Sequence, residues 1–102
     1  MIQGFRSYEL AVSVYRQVKT IKLPGHLRDQ LLRAASSVVL NLSEGSAKPT
    51  WPDKARFYAI AFGSLREVQA VLDLADNDVA EELADEIDHL SACLYKLVYK
   101  HR

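Results

Sequence analysis

The chain predicts an all-α fold, an up-down antiparallel four-helix bundle, on three observations. Apolar residues recur every three or four positions along four separate segments. Glycine, proline or short polar clusters interrupt the chain at three places, so the connections are short. No β-branched run of alternating strand period competes. The 102 residues form one domain over 1–102, long enough to bury a core without metal or disulfide support.

The first helix is expected from about Ser7 to Thr20, with Ser7 as its cap and Ala11, Val14, Tyr15, Val18 and Ile21 as its stripe. Leu23-Pro24-Gly25 then turns the chain. The second helix runs from about His26 to Glu44, burying Leu27, Leu31, Ala34, Ala35, Val38 and Leu42. Gly45 occupies the place of a left-handed C-terminal glycine. The stretch Gly45–Pro52 reads as a loop. The third helix starts near Trp51 or Pro52, with Thr50 and Asp53 spaced as a capping box and Pro52 tolerable in the first turn. Its expected face is Phe57, Ile60, Ala61, Ser64, Leu65, Val68, Val71, Leu72 and Ala75. Ala75-Asp76-Asn77-Asp78 is a polar break. The fourth helix follows, with Asp78 and Glu81 in capping positions and a stripe from Val79 through Leu83, Ile87, Leu90, Leu94 and Leu97 to Val98.

Composition narrows the class. Apolar residues are 49% and charged residues 25%, the balance of a globular protein rather than a disordered one. The lone Cys93 has no internal disulfide partner and fits a reducing compartment. No signal-peptide pattern opens the chain, and no run reaches the roughly 18 apolar residues of a membrane span, so a cytoplasmic location is expected. Formal net charge is zero, yet its distribution is uneven. Ten Lys or Arg and five Asp or Glu precede Asp73; eight acids and no base lie between Asp73 and Asp88. Helix-end electrostatics account for much of this. A dipolar surface that docks onto another subunit or partner is the sharper reading.

The second helix carries the most informative pattern. Within LLRAASSVVLNLSEGS, the polar residues Arg33, Ser37, Asn41 and Glu44 fall in an arc of roughly 80° beside the apolar face. Leu32, Val39 and Leu40 extend that face, so the helix is contacted on more than one side and the strip is half-buried. Half-buried polar groups need partners. Ser64 and Glu67 of the third helix offer them, and Gly63 suggests close backbone approach. These six residues, Arg33, Ser37, Asn41, Glu44, Ser64 and Glu67, are expected to form a polar network fixing the second helix against the third or against a neighbouring subunit. An ion-pair network of purely structural value is the plainer reading of Arg33, Glu44 and Glu67, and a hydroxyl bonded to its own preceding turn the plainer one of Ser64.

No catalytic constellation stands beside this strip. Glu86-x-x-His89 has the spacing of a di-iron ligand pair, but there is one copy, and His89 lies off the apolar stripe. Cys93 lacks a base and an orienting group. No glycine-rich phosphate loop follows a strand. The expectation is no catalysis, no cofactor and no metal site.

Three stretches, QLLRAASSV from Gln30 to Val38, NLSEG from Asn41 to Gly45 and FYAIAFGSLRE from Phe57 to Glu67, resemble the four-helix-bundle family of 23S ribosomal RNA intervening-sequence proteins. The similarity extends from Phe5 to about Leu97, and the NxxEG and GSxxE elements carry it together. It implies a ring-like homopentamer. It also implies kinship with the accessory proteins of diversity-generating retroelements, which bind nucleic acid and a reverse transcriptase through basic surfaces. Genes of this family often lie within insertions in ribosomal RNA genes. The chain departs from the family in carrying Leu32 where a second arginine is frequent and Val39 where proline is.

Two functions are therefore expected. In the first, a homo-oligomer, most simply a pentamer, associates with RNA or with a reverse transcriptase. Its candidate nucleic-acid contacts are Arg6, Arg16, Lys19 and Lys22 near the first helix and Lys48, Lys54 and Arg56 around the second loop. Trp51 either stacks on a base or seals the loop against the bundle. In the second, a structural scaffold binds another protein and no nucleic acid, and charge complementarity sets the subunit register.

Overall fold

Each of the four segments has one apolar stripe, and a stripe leaves water only by packing on another element. The computed structural model describes residues 2–75 and 78–100, with side chains described for 6–75 and 81–100. It contains α1 (Ile2–Val18), α2 (Gly25–Ser46), α3 (Trp51–Ala75) and α4 (Asp78–Tyr95), the last continued by a π-helical stretch, Lys96–Lys100. Each helix packs on its successor, and α4 closes back on α1. The result is an antiparallel four-helix bundle of 40 × 22 × 18 Å. No strand occurs among the described residues.

The core is a single cluster drawn from all four helices, including Val14 and Val18 of α1, Leu31 and Leu42 of α2, Leu65 and Val68 of α3, and Leu83, Leu90 and Leu94 of α4. Each is at most 2% exposed, so burial of these side chains contributes about 1.5–3 kcal/mol apiece. The α2–α3 seam is the most extensive helix pair.

The structure corrects several expectations. Helix α1 starts at Ile2, so Ser7 is interior to it and caps nothing. Ser7 lies four residues before Ala11 on the core-facing stripe and is 1% exposed. Gly45 does not end α2 in the left-handed region. The helix runs on to Ser46, and the capping residue is Ala47 at φ −86°, ψ −10°. The carbonyls there are taken by Ala47 N–H, which donates to Glu44 O, and Lys48 N–H, which donates to Gly45 O. Lys54 Nζ donates to Ser46 O at 2.9 Å and completes the end. Gly45 is buried for a different reason: a Cβ there would lie 2.8 Å from Tyr58 Cε1 and 3.1 Å from Phe57 Cβ. The glycine lets α2 and α3 converge.

The inner face of α3 is also rotated from its expected position. Tyr58, Ala61, Leu65, Val68, Val71 and Leu72 are buried, whereas Ile60 is 44% exposed. Phe57, Ile60, Ser64 and Glu67 form a second stripe, turned toward the outer rim of the α2–α3 seam. Gly63 faces open space: a Cβ added there would meet nothing within 4 Å, so no other helix among the described residues approaches it. The expected Thr50–Asp53 capping arrangement is present, with Asp53 N–H donating to Thr50 Oγ1 at 3.4 Å and Thr50 Oγ1 donating to Asp53 Oδ2 at 3.2 Å. The break at Asp76–Asn77 and the Asp78 side-chain cap lie outside the described residues.

Candidate functional site

The stripe of α2 carrying Arg33, Ser37, Leu40, Asn41 and Glu44 runs antiparallel to the outer stripe of α3. The two meet at Ser37 and Ser64, whose hydroxyls hydrogen-bond to each other at 2.8 Å. Asn41 Nδ2 donates to Ser37 O at 2.9 Å and to Ser37 Oγ at 3.1 Å. Three half-buried polar residues thus form a closed local network, and no buried side-chain polar atom among the described residues lacks a partner. Hydrogen bonds made in this way offset the cost of taking these polar groups out of water. Leu40 of α2 and Ile60 of α3, near Ser37 and Ser64 in sequence, are 65% and 44% exposed.

The charged members of the expected network do not join it. Arg33 and Glu67 are exposed, and neither has an ion-pair partner among the described residues. Glu44 Oε2 pairs instead with Lys48 Nζ at 3.3 Å, one turn on, at a surface where such pairs are worth little. Around that pair Lys48 Nζ lies 5.1 Å and Arg56 Cζ 4.6 Å from the Phe57 ring centroid. Lys48, Lys54 and Arg56 are therefore all engaged within the chain. Arg6, Arg16 and Lys22 are exposed and have no ion-pair partner among the described residues, and Lys19 Nζ lies 5.7 Å over the Tyr15 ring. Arg16 and Lys19 edge a shallow α1–α2 groove floored by Val12, Tyr15, Val39 and Leu40.

A model of the 23S rRNA-intervening sequence protein family matches residues 5–96. The chain belongs to that family. No curated protein and no solved structure matches it. In this intervening-sequence family member the match takes in the whole α2–α3 seam, including both halves of the Ser37–Ser64 contact.

Two features, a clasp at Glu86 and an aromatic group, lie beyond what the residues' spacing signalled. Glu86 is the acceptor of a clasp between α1 and α4: Ser13 Oγ donates to its Oε1 at 2.8 Å and Gln17 Nε2 at 2.6 Å. His89, one turn on, is exposed, and among the described residues no three His, Cys, Asp or Glu side chains converge as metal ligands. Trp51 packs on the core with its ring 5.8 Å from that of Tyr58, so it seals the loop. Burial raises the Tyr58 hydroxyl above its ordinary value of 10. Finally, Phe62, Tyr95 and Tyr99 form an aromatic group at the outer α3–α4 edge. Tyr95 and Tyr99 lie about one turn apart, whereas Phe62 is distant in sequence and meets them only because α3 and α4 pair. No described helix is long and apolar enough to cross a membrane.

Proposed function

We propose that this intervening-sequence family member is a non-enzymatic homo-oligomer whose α2–α3 seam is the subunit contact. One observation carries the reading. Leu40 and Ile60 are large apolar side chains left exposed within about one turn of the satisfied Ser37–Ser64 pair. Large exposed apolar side chains around fixed hydrogen bonds are the composition of a protein interface: apolar anchors for affinity, polar groups for register. A contact between unlike faces closes into a ring when its rotation permits, and the family resemblance implies five copies.

The test is the mass in solution. Multi-angle light scattering of the intact chain is expected to give about five times the 11.5 kDa monomer. Leu40→Asp and Ile60→Asp are expected to yield monomer of unchanged helicity. A wild-type mass of one chain at every concentration would sink the proposal.

A second reading, association with RNA, is favoured by the exposed and unpaired Arg6, Arg16 and Lys22. Its signature is weak, sequence-independent binding that fades with salt. A reverse transcriptase bound through the same bases, or a scaffold that binds another protein and no nucleic acid, is the alternative outcome of an RNA titration.

A further inference from the structure

Away from the seam, the densest group of exposed large side chains is aromatic. Tyr95 is 45% and Tyr99 56% exposed, and their ring centroids are 4.8 Å apart with planes tilted by 46°. Phe62 of α3 meets both rings edge-on at 6.3 Å, with interplanar angles of 74° and 79°. Phe62 itself is half-buried and packs on the core. It therefore anchors the two tyrosines, which remain about half exposed. Ala59, one turn before Phe62, is small and exposed and adds no bulk over the rings.

The charges that adjoin the two tyrosines in sequence have one sign. Lys96 and Lys100 each follow a tyrosine by one position, and both are exposed. Neither has an ion-pair partner among the described residues. From His89 to Arg102 the sequence holds no Asp or Glu. Rigid aromatic faces with unpaired cations at their margin, and no carboxylate among them, match a polymer of flat bases on a phosphate chain. An apolar protein partner would require neither the repeated cations nor the absence of acids.

We infer that Tyr95 and Tyr99, braced by Phe62 and flanked by Lys96 and Lys100, form a stacking pad for single-stranded RNA. The inference rests on the RNA reading above but moves its centre from helix α1 to the far end of α4. Single strands are selected because only unpaired bases offer their faces; a duplex presents edges and backbone.

The experiment is fluorescence anisotropy of the full chain with a labelled oligouridylate of about 12 nucleotides, over a salt series, with an RNA duplex of equal length alongside. Binding to the single strand is expected to exceed binding to the duplex. Tyr95→Ala and Tyr99→Ala are each expected to weaken it about tenfold, whereas Tyr95→Phe and Tyr99→Phe retain it. Lys96→Gln and Lys100→Gln should each lower the slope of log affinity against log salt by about 0.7. Both tyrosines are half-exposed, and circular dichroism verifies that each variant is folded. If the wild type binds no RNA even at low salt, the RNA reading and this inference fall together. If it binds and the tyrosine variants bind equally well while Arg16→Gln and Lys19→Gln do not, the RNA reading stands and the pad is overturned. A drop in oligomer mass in the tyrosine variants, with RNA affinity unchanged, assigns the pad to contact between copies and overturns the inference as well.

Discussion

Two glycines of similar sequence context have opposite surroundings. At Gly45 an added Cβ meets the buried Tyr58 ring at 2.8 Å and Phe57 Cβ at 3.1 Å; at Gly63 it meets nothing within 4 Å. Both are helical, so alanine gains about 1 kcal/mol of intrinsic propensity at either. At Gly45 overpacking costs about 1–3 kcal/mol and reverses the sign. Urea denaturation is expected to show Gly45→Ala less stable than wild type and Gly63→Ala more stable, by about 0.5–1 kcal/mol. Tyr58 supplies a pH test. Its folded pKa is raised by burial, so the folded chain holds the phenolic proton more tightly than the unfolded one. The stability this contributes is complete below the unfolded pKa of about 10 and is lost as pH rises through the folded value. Melts between pH 9 and 11.5, about the range that brackets this titration, should show a steeper decline for wild type than for Tyr58→Phe.

At the scale of the helices, apolar period and turn residues suffice to place all four elements and most of the core. The Ser37–Ser64 contact is also legible, because a half-buried polar strip on α2 and a serine on the expected apolar face of α3 both need partners. Other features are not legible, for physical reasons. A glycine near a helix end has the same spelling whether it adopts a left-handed cap or admits a tyrosine ring, as at Gly45. The second stripe of α3 opens with Phe57 and Ile60, as apolar as the inner face, so periodicity alone does not fix the helix's rotation. The Ser13–Gln17–Glu86 clasp joins residues separated by 73 and 69 positions and leaves no local pattern. Removing its acceptor tests its value. Glu86→Ala is expected to cost about 1 kcal/mol in thermal or urea unfolding, and Ser13→Ala combined with it should add little, since both delete one shared interaction.

Across the whole molecule, both signs of charge line the grooves: Asp29 lies with Arg33 between α1 and α2, and Arg66 with Asp73 and Asp88 between α3 and α4. Interactions between such exposed charges on neighbouring copies are screened by salt. Glu44 sits at the edge of the proposed contact, paired only with Lys48. Glu44→Lys reverses the charge there and is expected to lower the assembled mass in sedimentation velocity while leaving the helical circular-dichroism signal intact. An unchanged sedimentation coefficient would place the contact elsewhere.

The dominance of the α2–α3 seam has a kinetic corollary. Its helices are joined by the four residues 47–50, and its contacts are local in the chain compared with those linking α1 to α4. Closing a short loop loses less chain entropy than bringing the two ends of the polypeptide together. The α2–α3 hairpin should therefore be native-like in the folding transition state, with α1 and α4 docking afterwards. Substitutions at Gly45 would then slow refolding, and those at Glu86 would mainly hasten unfolding.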